Sequence, residues 1–277
     1  MSIEQTLNRF SKIAVILWLV AAVQSLLAVF GIFGVMQTNQ ERIIFGIVEL
    51  MTMLLVIINA IAIMRYVAQQ QSSLAFLLSR LCLYSLILCF FGDIVNRNFI
   101  QQFYEYDDVI KHSYLAASVI FFFPGYLIIA AAISYLATLK GLSKGFMITS
   151  ALITTTIALY TYNDMHITGS SSLLTIITAS YSVLVSILAV SAIWLLKALS
   201  WRQVPIRIWL AALGLILAMV ADAIIGQFWI FGNHGQGYFP IVSHINWIIY
   251  LGSQVLIQQL PLGILQLKIA QQPVEAT

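Results

Sequence analysis

Eight apolar runs of close to twenty residues dominate the chain, and about 20 apolar residues is the length a helix needs to cross a bilayer. They fall at 13–36, 43–66, 73–94, 113–136, 145–162, 173–196, 206–225 and 238–264, the fifth being the shortest. Only 8% of the 277 residues are charged and 61% are hydrophobic, whereas soluble domains carry about 25% charged residues. No segment long enough for a water-soluble domain remains. The expectation is an all-α polytopic helical bundle, one transmembrane domain spanning 1–277. The net charge of +3 is small, and nothing resembles a nucleic-acid-binding patch.

The basic residues give the orientation. Arg9, Lys12, Arg65, Lys140, Lys144, Lys197, Arg202, Arg207 and Lys268 flank one set of span ends, and Arg80 is near enough to snorkel to the same side. Only Arg42, Arg97 and Lys111 fall on the other. Both termini are therefore expected in the cytoplasm, of a bacterial inner membrane. The apolar run that follows the polar N-terminus is too long for a signal-peptide core and reads as a retained first helix.

With that topology, Asp93 and Asp222 fall at the outer ends of spans three and seven. A carboxylate in or at the edge of a span is costly and marks a functional site by default. Their contexts match: Gly92–Asp93 is followed by Phe99, and Ala221–Asp222 by Phe228, each six residues on. The echo extends to Phe123–Pro124–Gly125–Tyr126 in span four and Trp247–Ile248–Ile249–Tyr250 in span eight. That is the pattern of an internal repeat whose helices frame a site.

Glu49 lies roughly 9 Å into span two at 1.5 Å per residue, with Thr52 and Asn59 on the same helical face. This stripe points inward, to a cavity or to a hydrogen-bonded seam. His244, Asn246, Tyr250, Gln254 and Gln258 form the polar positions of span eight. For the glutamines helix glue is the plainer reading, and His244 reads as interfacial. His112, His166 and His234, with Asp164, sort to the same outer side, and no two histidines have zinc-helix spacing. No metal or cofactor is expected. Cys82 and Cys89 are two turns apart, cannot bond to each other and read as small core filling.

Several of these stretches resemble the YhhN/lysoplasmalogenase family. The Gly-Asp closing span three is similar to that family's pattern, as is Ala221-Asp222-Ala223-Ile224-Ile225 to its Ser-Asp segment. Tyr250-Leu251-Gly252-Ser253-Gln254-Val255-Leu256-Ile257 resembles its Tyr-x-x-Gln-x-x-Ile close. Glu49-Leu50-Met51-Thr52-Met53 sits where the family reads Lys-Pro-Leu-Thr-Met, so a charge is reversed here. The loop carrying Asp107–Asp108 is longer than the family's.

The resemblance implies hydrolysis of the vinyl-ether bond of a lysophospholipid. Asp93 and Asp222 would be catalytic, and Glu49, Thr52, Tyr126, Asn246, Tyr250 and Gln254 would bind substrate. One carboxyl delivers a proton to carbon and the other steadies the cation and activates water, a division of labour shared with glycoside hydrolysis. Two other classes fit the residues. A non-enzymatic sensor or lipid-binding module accommodates the reversed charge at Glu49. A proton-coupled transporter would use the three acids as carriers, with Pro124–Gly125 as its candidate helix break.

Overall fold

The computed structural model describes residues 3–32, 39–97, 99, 114–165, 172–227 and 240–270, and it is helical throughout. Helices α1 (Ile3–Val29), α2 (Asn39–Ala68), α3 (Ser73–Asn96) and α4 (Tyr114–Leu139) are followed by α5 (Lys144–Met165), α6 (Ser172–Ala198) and α7 (Ile206–Ile225). The last span is divided into α8 (Pro240–Ile257) and α9 (Gln259–Ala270). Eight of the described stretches are long and apolar enough to cross a membrane, counting α8 and α9 as one. In hydrocarbon every backbone N–H and C=O must find its partner within the protein, and the helix meets that demand locally. The chain is a polytopic membrane protein.

Helix α1 starts at Ile3, ten residues before the apolar run, because its polar first turns are bound from below. Arg207, expected in the connection before span seven, lies instead in the first turn of α7 and is buried. Its guanidinium donates to Gln266 at 2.6 Å and to Asn8 at 2.5 Å, and reaches Glu4 at 3.5 Å. Ser11 donates to Gln259 at 2.7 Å. One buried cation thereby ties the starts of α1 and α7 to α9. Short turns close the same end: at Gly141 (φ +82°) the amides of Gly141 and Leu142 bond back to Thr138 and Ala137, capping α4.

The last span is the post of the bundle. In its most apolar stretch 83% of the residues are buried, against 17% in α5, and it packs on α1, α2, α3 and α7. Pro124, expected as the helix break, sits inside an unbroken α4. The break falls in the last span instead. Pro261 has no N–H for the carbonyl of Ile257, and the helix is interrupted at Gln258. The freed region is clasped by α3: Gln258 Nε2 donates to the carbonyl of Cys82 at 3.3 Å.

The repeat suggested by the sequence has a counterpart in packing, since α3 pairs with α4 and α7 pairs with α8. Both pairs approach closely at a glycine. A Cβ on Gly125 would meet Cys89 Sγ at 3.1 Å and the Ser85 carbonyl at 3.2 Å. At Gly214 it would meet the Ile257 amide and the Ser253 carbonyl at 2.9 Å. Backbone cannot yield as a side chain does, so Gly214→Ala should push α7 off α8. The expected loss is about 1–3 kcal/mol, read as an earlier thermal unfolding midpoint in detergent.

Candidate functional site

Asp93 closes the last turn of α3 and is 4% exposed. The residue before it must be small, because a Cβ at Gly92 would strike the ring of Phe122 at 2.9 Å. Tyr250 of α8 donates its hydroxyl to Asp93 Oδ2 at 2.9 Å. On the opposite pair, Tyr181 of α6 donates to Asp222 Oδ1 at 3.1 Å, and the hydroxyl of Tyr126, from α4, faces the same carboxyl. Each aspartate therefore accepts from a tyrosine on another helix, Asp93 from α8 and Asp222 from α6.

The two carboxyls are within electrostatic reach of each other, and the Cys89 thiol interacts with both. An aromatic chain joins them. Trp247 and Tyr250 lie 5.6 Å apart between ring centroids, Tyr250 meets Phe122 edge-on at 6.2 Å, and Tyr126 stacks on Tyr181 at 6.2 Å. Phe122 and Tyr126 complete the run at 6.4 Å.

Glu49 is fully buried and forms an ion pair with Arg97, the residue that follows α3. The Arg97 guanidinium also covers the ring of Trp247 at 5.3 Å. Gly46 keeps room for it, since a Cβ there would press on Arg97 and Phe99. His244, expected at the interface, is fully buried with its ring 4.8 Å from that of Phe45. Among the described residues, both of its ring nitrogens, Asn246 Oδ1 and Trp247 Nε1 have no hydrogen-bond partner. Buried polar atoms normally have one, so this end of α8 has capacity for water or for the polar part of a ligand.

A cleft of about 500 Å³ runs along α6 between α5 and α7, and Asp222 and Tyr181 line its end. Its walls are mainly apolar, with hydroxyls from Thr178, Ser182 and Ser186 along the floor. Asp93 does not line it.

The structure brings together Asp93, Asp222, Tyr126 and Tyr250, with Glu49 close enough to act on Asp93. Thr52 and Gln254 are buried but turned to local partners, the Val48 carbonyl at 3.1 Å and Ser253 Oγ at 3.4 Å. His112, His166 and His234, Asp107–Asp108 and the side chain of Asp164 lie outside the described residues. Among the described residues no group of three His, Cys, Asp or Glu side chains is arranged to hold a metal. Sequence reasoning missed Tyr181, the inward role of Arg97, and the nearness of Cys89 to the acids. For Tyr181 there was a signal, the polar spacing Thr178–Tyr181–Ser182–Ser186 on α6. No family model, curated protein or solved structure matches the chain.

Truncating one half of a buried ion pair strands the other charge. Arg97→Gln should therefore cost about 3–5 kcal/mol, measured by unfolding in mixed micelles, and Glu49→Gln combined with Arg97→Gln should recover most of it. A double variant no more stable than Arg97→Gln alone would show that Arg97 works through other contacts.

Proposed function

We propose that the chain is an integral membrane hydrolase of lysoplasmalogen-like lysophospholipids, akin to the YhhN/lysoplasmalogenase family. In this reading the basic end faces the cytoplasm of a bacterial inner membrane and Asp93 and Asp222 are the working carboxyls. The observation that carries it is the carboxyl pair, each member held by a tyrosine, beside a mainly apolar cleft that suits a single hydrocarbon chain.

Asp222 lines the cleft and is the proton donor. It protonates the vinyl carbon distal to the ether oxygen, leaving an oxocarbenium ion. Asp93 steadies that positive charge across the pair. Water then adds to the oxocarbenium carbon and returns a proton to Asp222. The resulting hemiacetal collapses to a fatty aldehyde and the glycerophospho-alcohol. Tyr181 and Tyr250 are positioning residues that fix the carboxyl rotamers. The head group would meet Glu49, Arg97 and Asn246 near the outer end of α8.

The test is aldehyde release from lysoplasmenylethanolamine by the purified protein in detergent. Asp222→Asn and Asp93→Asn should each lose about 10²–10⁴-fold, the usual range for a positioned acid or base. Tyr181→Phe and Tyr250→Phe should keep turnover but lose about tenfold, the worth of one hydrogen bond. Thermal stabilisation by lysophospholipid without turnover would replace the hydrolase with a lipid-binding module. The interruption at Gln258 favours the transporter as second reading, and proton uptake by proteoliposomes without aldehyde release would establish it.

A further inference from the structure

At the basic end of the bundle, far along α6 from Asp222, a cavity of about 810 Å³ opens between α6, the short turn Trp201–Gln203 and α7. Lys197 and Arg202 line it, flanked by Trp201 and Trp209, and among the described residues no acidic side chain contributes to the wall. A second cavity of about 640 Å³ shares Ser200 and Gln203 with the first and adds Lys140 and Lys268. Its described lining likewise carries no carboxylate.

We propose that this end of the chain binds the headgroup of an anionic phospholipid. The phosphate would sit between Lys197 and Arg202, and one acyl chain would follow Leu196 and Ile193 up the lipid-facing side of α6.

Three features point to a lipid. First, the charge is uncompensated. Arg207 nearby is buried and answered by Glu4, Asn8 and Gln266, whereas among the described residues neither Lys197 nor Arg202 pairs with a carboxylate. The Lys197 ammonium rests 3.8 Å above the ring of Phe146, a contact that orients the cation without neutralising it. Second, the turn that presents Arg202 is held in one shape. Ser200 is in the left-handed region (φ +60°), and its carbonyl accepts from the Gln203 amide at 2.9 Å. Third, the cavity continues into the apolar zone. Ile193 is exposed and lines both this cavity and the Asp222 cleft, so a chain entering from the basic end has an apolar track. Trp201 and Trp209 are exposed at the rim, where the amphipathic indole is favoured at a membrane interface. Basic pockets between spans are the usual seat of anionic headgroups.

The headgroup site lies away from the aspartates and does not depend on their chemistry; only its acyl track meets their cleft, at Ile193. The purified protein would be examined by native mass spectrometry with dioleoylphosphatidylglycerol or dioleoylphosphatidylcholine added. Phosphatidylglycerol should be retained in preference. Lys197→Gln with Arg202→Gln should weaken its retention roughly 10- to 30-fold, from about 1 kcal/mol per basic residue, and leave phosphatidylcholine unchanged. If the double variant does not fold, phosphatidylglycerol brominated on its chains decides the matter in wild-type protein. It should quench indole fluorescence that is lost in the folded Trp201→Phe/Trp209→Phe variant. Equal retention of the two lipids, or quenching unchanged by removing these tryptophans, would overturn the proposal. Inorganic phosphate stabilising the protein as well as phosphatidylglycerol does would overturn it too, because the site would then be one for the free anion.

Discussion

The last span cannot be satisfied by lipid, because most of its surface never meets any. Polar groups on α8 and α9 have to be answered by the protein, and past the His244–Trp247 end the neighbouring helices answer several of them. Tyr250 finds Asp93, Gln258 finds the Cys82 carbonyl, and Gln259 finds Ser11. In a bilayer an apolar side chain gains little by leaving lipid for protein, so polar contacts and close backbone approach set helix order. Gly214 supplies the approach on one side, and Gly252, packed under Trp18, on another. Trp18 also donates its indole N–H to the Ile248 carbonyl at 3.0 Å.

The charged groups divide by depth. At the basic end the buried cation, Arg207, is fixed by neutral partners and one half-exposed carboxylate, which makes it a rivet between three helices. At the opposite end, among the described residues, three acids share one cation: Glu49, Asp93 and Asp222 interact with Arg97 or with one another. Each carboxyl there is supported by a residue from a different helix. Such a site is more expensive than a rivet, and a membrane protein has little structural reason to maintain three acids so close.

The fold was legible because its cause is simple. Twenty-residue apolar runs admit one solution in lipid, and the spans read from the chain coincide with the helices to within a few residues at most described ends. The buried stripe Glu49–Thr52–Asn59 was legible for the same reason, since helical spacing alone puts the three on one face. What the sequence did not disclose was who meets whom. Tyr250 and Asp93 are 157 residues apart, and no periodicity encodes that contact. Arg97 was counted toward topology because a basic residue after a span looks like a flank. Its pairing with Glu49 depends on how α2 lies against α3. Pro124 misled for a subtler reason. A proline breaks a helix only if the freed carbonyl and ring clash are not accommodated, and α4 accommodates them whereas the last span does not.

The centrality of the last span bears on how the bundle is made. A ribosome releases α1 to α7 before the helix that stands among α1, α2, α3 and α7 exists. Until α8 arrives, Asp93 lacks Tyr250, Trp247 does not yet cover Arg97, and Gly214 faces no backbone. The contacts that join α1, α2, α3 and α7 through the last span are therefore the last ones available to the chain.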